Sequence, residues 1–211
     1  MLPVVVAHTV LVSGEDEDEK DVKIGGALGN LMHATNTAME AAIRKLHVGS
    51  TNSEVTRVIN AVADAFGVKP VQGVLSHNMA RFVIDGEKVI ISTTDAETKV
   101  DEVKFEELEV WTLDIIMSSG DGKPREVDDK PTIFKRSVDV RYQLKMKASN
   151  YVLGEINEKF PVFPFTLRAV SDSVKAKLGI VECLNHGMVQ DFPVLLEKES
   201  KPVYEALVLP D

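Results

Sequence analysis

The sequence predicts an α/β protein whose body is interrupted by a helical insertion. Three observations carry this. Glu109 to Ser118 alternates Trp111, Leu113, Ile115 and Met117 on one face with Thr112, Asp114 and Ser118 on the other, the period of a half-buried strand. Val55, Val58, Ile59, Val62, Ala63 and Phe66 recur at helical spacing. Tyr142 to Val189 reads as helical and lies between extended segments. On this basis residues 1–141 form most of an α/β domain, 142–189 the helical insert, and 190–211 the strand that returns to the α/β domain.

Taken in order, Val4 to Val12 is rich in β-branched residues and predicts a buried strand. The consecutive acids Glu15, Asp16, Glu17, Asp18 and Glu19 predict a solvated loop rather than a cation site. From Asp21 to Leu46, Ala27, Leu31, Ala34, Ala38, Ala41 and Ala42 form one helical stripe, with Gly25-Gly26 delaying the firm start. No Lys-Ser or Lys-Thr follows Gly25-Gly26-x-x-Gly29, so a phosphate loop is rejected. Thr51 and Glu54 stand in capping-box relation, and Gly67 supplies a left-handed stop. Strands and turns follow from Val71 to about Ile91, and Ser119 to Pro124 is turn chemistry that predicts a hairpin. Tyr151, Val152, Ile156 and Phe160 mark an amphipathic helix ended by Pro161. Ser171 caps a short helix ending near Gly179, another short helix runs to about Gly187, and extended structure resumes at Leu195.

Composition bounds the function. The chain has 211 residues, 44% apolar and 27% charged, enough to bury a core. Its net charge of −9 is unfavourable for a general nucleic-acid binder, which carries a basic stripe. Cys183 is the single cysteine, so no internal disulfide forms and a reducing compartment is expected. No apolar window approaches the ~20 residues of a membrane span, and the opening Met1 to Ala7 lacks the basic lead of a signal peptide. A soluble intracellular protein is the expectation.

Four groups of residues could carry chemistry. His77 with Asp114 on a strand scaffold could ligate a divalent metal or act as a base–acid pair, or be held by ordinary hydrogen bonds. Ser76-His77 lacks the glycine pattern of a nucleophile elbow. Cys183 and His186 lie at helical i, i+3 spacing, where a buried thiol is inert packing. Lys130, Lys135, Arg136, Arg141, Lys145 and Lys147 gather against the single acid Asp139, either a solvated flank or a surface for an anionic partner.

Val74-Leu75-Ser76-His77, Val83 to Lys88, Ser118 to Lys123, Tyr142 to Lys147, Pro164 to Ala169 and Val181-Glu182-Cys183 occur in one order along the chain. In these motifs the chain resembles the ErbB-3-binding, proliferation-associated protein family, in its plant-like branch. The resemblance implies the pita-bread fold of type II methionine aminopeptidases without their peptidase activity. It implies instead association with RNA, ribosomes and protein partners, a role in growth and translation, residence in cytoplasm and nucleus or nucleolus, and no cofactor. The aminopeptidase pattern uses two Asp, one His and two Glu to hold two divalent ions. Placed on this chain, the first Asp precedes Met1, the second falls at or beside Val5, the His matches His77, and Asp114 takes the place of the first Glu. The last Glu falls near Val203 to Glu205, and a further histidine of the pattern corresponds to Asp85. With so few ligands kept, the dinuclear centre is not expected to form. Lys135, Arg136, Arg141, Lys145 and Lys147 then become the candidate RNA or partner surface, and Asn78 to Phe82 is less basic than the family pattern.

The resemblance also implies an α/β region before Val4 and a lysine-rich tail after the last strand, both missing here. The expectation is a chain shortened at both ends, with an exposed half-core that favours a partner or self-association. Two alternatives stand beside a binding protein: a residual metallopeptidase using His77, Asp114 and one further carboxylate, and a truncated paralogue without independent function.

Overall fold

A computed structural model describes residues 7–9, 25–94, 98–197 and 203–208. In chain order its elements are β1 (Ala7–His8), α1 (Gly26–Lys45), α2 (Asn52–Phe66), β2 (Lys69–Pro70), β3 (Leu75–Met79), β4 (Val89–Ile91), β5 (Val110–Ser118), β6 (Pro124–Glu126) and β7 (Ile133–Arg136). There follow α3 (Lys147–Lys159), β8 (Phe165–Thr166), α4 (Ser173–Asn185), β9 (Val189–Asp191), β10 (Leu195–Glu197) and β11 (Val203–Val208). The elements fall into two compact units, residues 1–125 with 196–211, and residues 126–195.

In the first unit, α2 begins as its capping box predicts. Thr51 Oγ1 accepts a hydrogen bond from the Glu54 N–H at 3.4 Å, and Gly67 ends the helix at φ 66°, a conformation that strains any residue with a Cβ. Firm helix starts at Gly26 in α1, with Gly25 as its cap residue. Both helices cover one face of an antiparallel sheet in the order β1-β11-β5-β3-β4, with β2 also paired to β5. The alternation read in β5 is the buried face: Trp111, Leu113, Ile115 and Met117 pack against Leu31, Ala34, Ala38, Val55 and Ile59. Burial of each large aliphatic side chain contributes roughly 1.5–3 kcal/mol. Small residues along the α1 stripe let the helix approach closely, and α1 and α2 pack on each other. Of the Val4 to Val12 strand, Ala7–His8 pairs with Ala206 and Leu207 of β11 and Thr9 is outside the strand; residues 4–6 and 10–12, like the Glu15 to Glu19 run, lie outside the described residues.

Three expectations differ from the structure in the second unit and the turn that precedes it. First, that unit starts at Glu126, ahead of Tyr142, because β7 leaves the main sheet and forms its own three-stranded sheet with β8 and β9. The unit is therefore mixed rather than helical: Phe134 and Phe165 from that sheet meet Val152, Ile156, Ile180 and Cys183 of α3 and α4 in one apolar cluster. Second, the turn at Ser119 to Pro124 does not close a hairpin onto β5, since β6 pairs with β10. Third, the two short helices predicted to either side of Gly179 are one, α4, capped by Asp172 rather than Ser171. Asp172 Oδ1 accepts from the N–H groups of Val174 and Lys175. Gly179 is an interior packing position: a Cβ there would lie 2.6 Å from the Ala148 carbonyl oxygen.

Candidate functional site

His77 sits in the middle of β3, opposite Thr112 of β5 on one side and Val89 of β4 on the other. Strand alternation puts its side chain with those of Thr112 and Asp114 on the sheet face turned away from α1 and α2. The Nδ1 atom of His77 lies 3.1 Å from the Gly86 carbonyl. A carbonyl only accepts, so Nδ1 is the donor in this bond, and in the neutral ring Nε2 is then the acceptor or ligand. Gly86 is held in turn by its N–H to the Asn78 carbonyl, and Asn78 Oδ1 accepts from the Lys88 N–H at 3.1 Å. A Cβ on Gly86 would fall 2.1 Å from Asn78 Oδ1, so only glycine lets the loop return to the strand here.

Asp114 is positioned through its backbone. Its N–H donates to Ser76 Oγ at 2.9 Å, and its carbonyl accepts from the hydroxyls of Ser76 and Ser92 at 3.3 and 3.4 Å. The paired register of β3 and β5 ends at His77, and these two buried hydroxyls replace the ladder bonds beyond it. Sequence reasoning missed Ser92, whose only signal was a small hydroxyl residue just past a strand.

In the β11–β5 pair, Glu205 lies opposite Ile116 and Leu207 opposite Asp114. Val5 lies outside the described residues. Asp85 is exposed in the loop after β3, where the Arg81 guanidinium lies 4.9 Å over the Phe82 ring. Among the described residues no group of three His, Cys, Asp or Glu side chains converges as a metal centre requires.

The basic residues all fall in the second unit. Lys135 and Arg136 lie half-buried on β7, and Arg136 Nε is buried without a hydrogen-bond partner. Arg141, Lys145 and Lys147 are exposed on the approach to α3 and at its first turn. Between them the Tyr142 ring stacks on His186 at 3.6 Å and 12°.

The start of α3 is not an open anion site. Glu182 of α4 accepts from the N–H groups of Lys145 and Met146 at 2.9 and 3.1 Å. The Ser149 hydroxyl and these two amides hold the Glu182 carboxyl below its ordinary value. Incoming anions would therefore meet lysine and arginine side chains rather than the helix end. The contact made by Glu182 was also missed: the motif Val181-Glu182-Cys183 contains the residue, but its partners lie 37 and 36 residues away. Cys183, buried beside it, has its thiol pushed up to about 11 by burial and by the Glu182 charge, which excludes a thiolate nucleophile at neutral pH.

No protein-family profile matches the chain. It is 48% identical over 193 residues to ErbB-3 binding protein 1 of Solanum tuberosum, covering 89% of this chain and 50% of that protein. To Proliferation-associated protein A of Dictyostelium discoideum it is 39% identical over 209 residues, 97% of this chain and 53% of that protein. The chain thus spans about half the length of the curated relatives it matches. Among solved structures, a thermophilic Arx1 superposes with a TM-score of 0.84 over 98% of this chain and 59% of its own, at 24% identity. That likeness shows the aminopeptidase-like pita-bread fold. No helix among the described residues is long and apolar enough to cross a membrane. Sequence likeness and fold agree with the motifs quoted above, and the chain belongs to the ErbB-3-binding, proliferation-associated protein family.

Proposed function

We propose that the chain is a non-catalytic aminopeptidase homologue that binds RNA or ribosomes through its second unit and regulates growth and translation, in cytoplasm and nucleus. Protein partners, including one of the ErbB-3 kind for which the potato relative is named, belong to the same reading, as does self-association through an exposed half-core. The observation that supports it is the gathering of Lys135, Arg136, Arg141, Lys145 and Lys147 in one compact unit of an otherwise acidic chain. Such cations supply affinity for phosphates without sequence reading. Converting Arg141, Lys145 and Lys147 to Glu is expected to weaken binding to purified ribosomes and to single-stranded RNA. The log–log salt slope should fall by about 2, at ~0.7 per phosphate contact on a single strand. Unchanged affinity would move the contact to another surface.

One observation favours a second reading, a residual divalent-metal peptidase. His77 donates Nδ1–H to a backbone carbonyl and presents Nε2, the arrangement used by metal-ligating histidines. Titration calorimetry with manganese or cobalt, beside an assay on Met-initiated peptides, separates the two. Stoichiometric binding with turnover would establish the peptidase, and neither would leave His77 and Asp114 as inherited scaffold.

A further inference from the structure

Helix α4 carries apolar residues on two opposite faces. Ala176, Gly179, Ile180 and Cys183 are buried against the rest of the second unit. At 100° per residue, Val174, Leu178 and Val181 fall on the far side, and they are 66%, 56% and 53% exposed. A solvated helix face is ordinarily polar, and three aliphatic residues at i, i+4 and i+7 make a stripe ~10 Å long over two turns. That spacing is the one by which helices anchor to one another.

The borders of the stripe are cationic. Lys177 lies on one side, and Lys175 and Lys145 on the other. Lys145 is placed there because its N–H is bonded to Glu182, one turn beyond Leu178. The exposed Met146 extends the apolar surface on that side. Both acids nearby are already engaged: Glu182 with the start of α3, Asp172 with Lys175 at 3.0 Å and with the start of α4. Lys175 is shared with Asp172 and lies over the Tyr151 ring, so acidic groups on a partner would be drawn chiefly to Lys177 and Lys145.

We propose that this face of α4 docks an amphipathic helix of a protein partner whose apolar stripe is bordered by Asp and Glu. Two other occupants fit less well. A second copy packed stripe on stripe about a two-fold axis would set lysines against lysines. RNA would use the lysines but leave the aliphatic stripe in water. The inference does not depend on the RNA reading above.

Selection of a displayed library of helical peptides on the full chain tests it. Enriched peptides should carry apolar residues at i, i+4 and i+7 with Asp or Glu beside them. They should lose about tenfold or more in affinity for Leu178→Asp and for Val181→Ser, while Lys177→Glu should select against acidic borders. Because Leu178 and Val181 are exposed, both variants should retain the wild-type circular dichroism. Peptides enriched equally on Leu178→Asp, or enriched without acidic borders, would overturn the proposal. So would a wild-type dimer in sedimentation that Leu178→Asp makes monomeric, which would assign the stripe to a second copy. Loss of RNA binding in Leu178→Asp matching the peptide loss would assign it to nucleic acid.

Discussion

In the first unit, His77 and Asp114 are tied down from behind, one by the Gly86 carbonyl and the other by the Ser76 and Ser92 hydroxyls at its backbone. In the second, Arg141, Lys145 and Lys147 are exposed, and Glu182 of α4 is bonded to the backbone at the start of α3. The first arrangement suits a scaffold that keeps a shape whether or not chemistry takes place on it. The second keeps positive charge available to a partner. One fold thus carries a sheet face whose polar groups are held by its own backbone and a separate unit whose cations are exposed. The difference lies in where the hydrogen-bond acceptors have been committed.

The sharpest way to test the separation is through the two cores. Leu113→Ala in the first unit and Ile156→Ala in the second each remove a fully buried side chain, at about 2–5 kcal/mol. Trp111 is the sole tryptophan and lies in the first core, so its fluorescence reports that unit, while amide exchange in α3 and α4 reports the other. Leu113→Ala should lower the fluorescence transition, and Ile156→Ala should speed exchange in α3 and α4 while leaving fluorescence in place. A shared shift in both readouts would show that the units unfold as one.

A smaller effect contrasts two helical glycines of the second unit. Gly179→Ala should destabilise it by about 1–3 kcal/mol, because the new methyl meets the Ala148 backbone and the gain in helix propensity, ~1 kcal/mol, does not offset that. Gly154→Ala in α3 has nothing within 4 Å and should stabilise by up to ~1 kcal/mol. Exchange rates in α3 that change the same way in both variants would rule out the close approach.

Acid separates the units further. Glu155 accepts from the Tyr151 hydroxyl, the Ser171 N–H and Lys159, which together bring its carboxyl down from 4.5 to about 2. A depressed carboxyl contributes its stability above pH 4.5 and loses it as pH falls toward 2. Exchange in α3 should therefore accelerate across that window, and Glu155→Gln should flatten the dependence. An unchanged profile in the variant would place the acid sensitivity elsewhere. The least effect is expected from metal. Millimolar manganese should shift the fluorescence midpoint by less than about 1 °C, whereas a rise of several degrees that His77→Ala abolishes would mean that the sheet face binds metal.

Much of this was legible in the residues. Thr51, Glu54 and Gly67 marked both ends of α2, and the alternation through Trp111 to Met117 gave the buried face of β5, because capping and pleat are local physics. Gly179 misled because a glycine signals a helix end by its backbone freedom, yet here it is required for want of a side chain, at a contact with α3 that sequence does not display. The partner of β6 could not be read either, since β10 starts only at the last residue of the second unit. At the site, His77 and Asp114 were found by type and by family pattern. Their supports, Ser92 and the Gly86 carbonyl, and the bonds of Glu182 to the start of α3 depend on register and packing.

The strand pair β6 and β10 has a consequence of its own. The Val127 N–H donates to the Val194 carbonyl at 3.0 Å, so the two ends of the second unit are a single hydrogen bond apart. A segment that departs and comes home at neighbouring points behaves as a cassette: a tight turn could replace it without stretching the flanking strands, and another host with a similar strand pair could accept it. The two units of such a protein can then be lost, exchanged or elaborated independently.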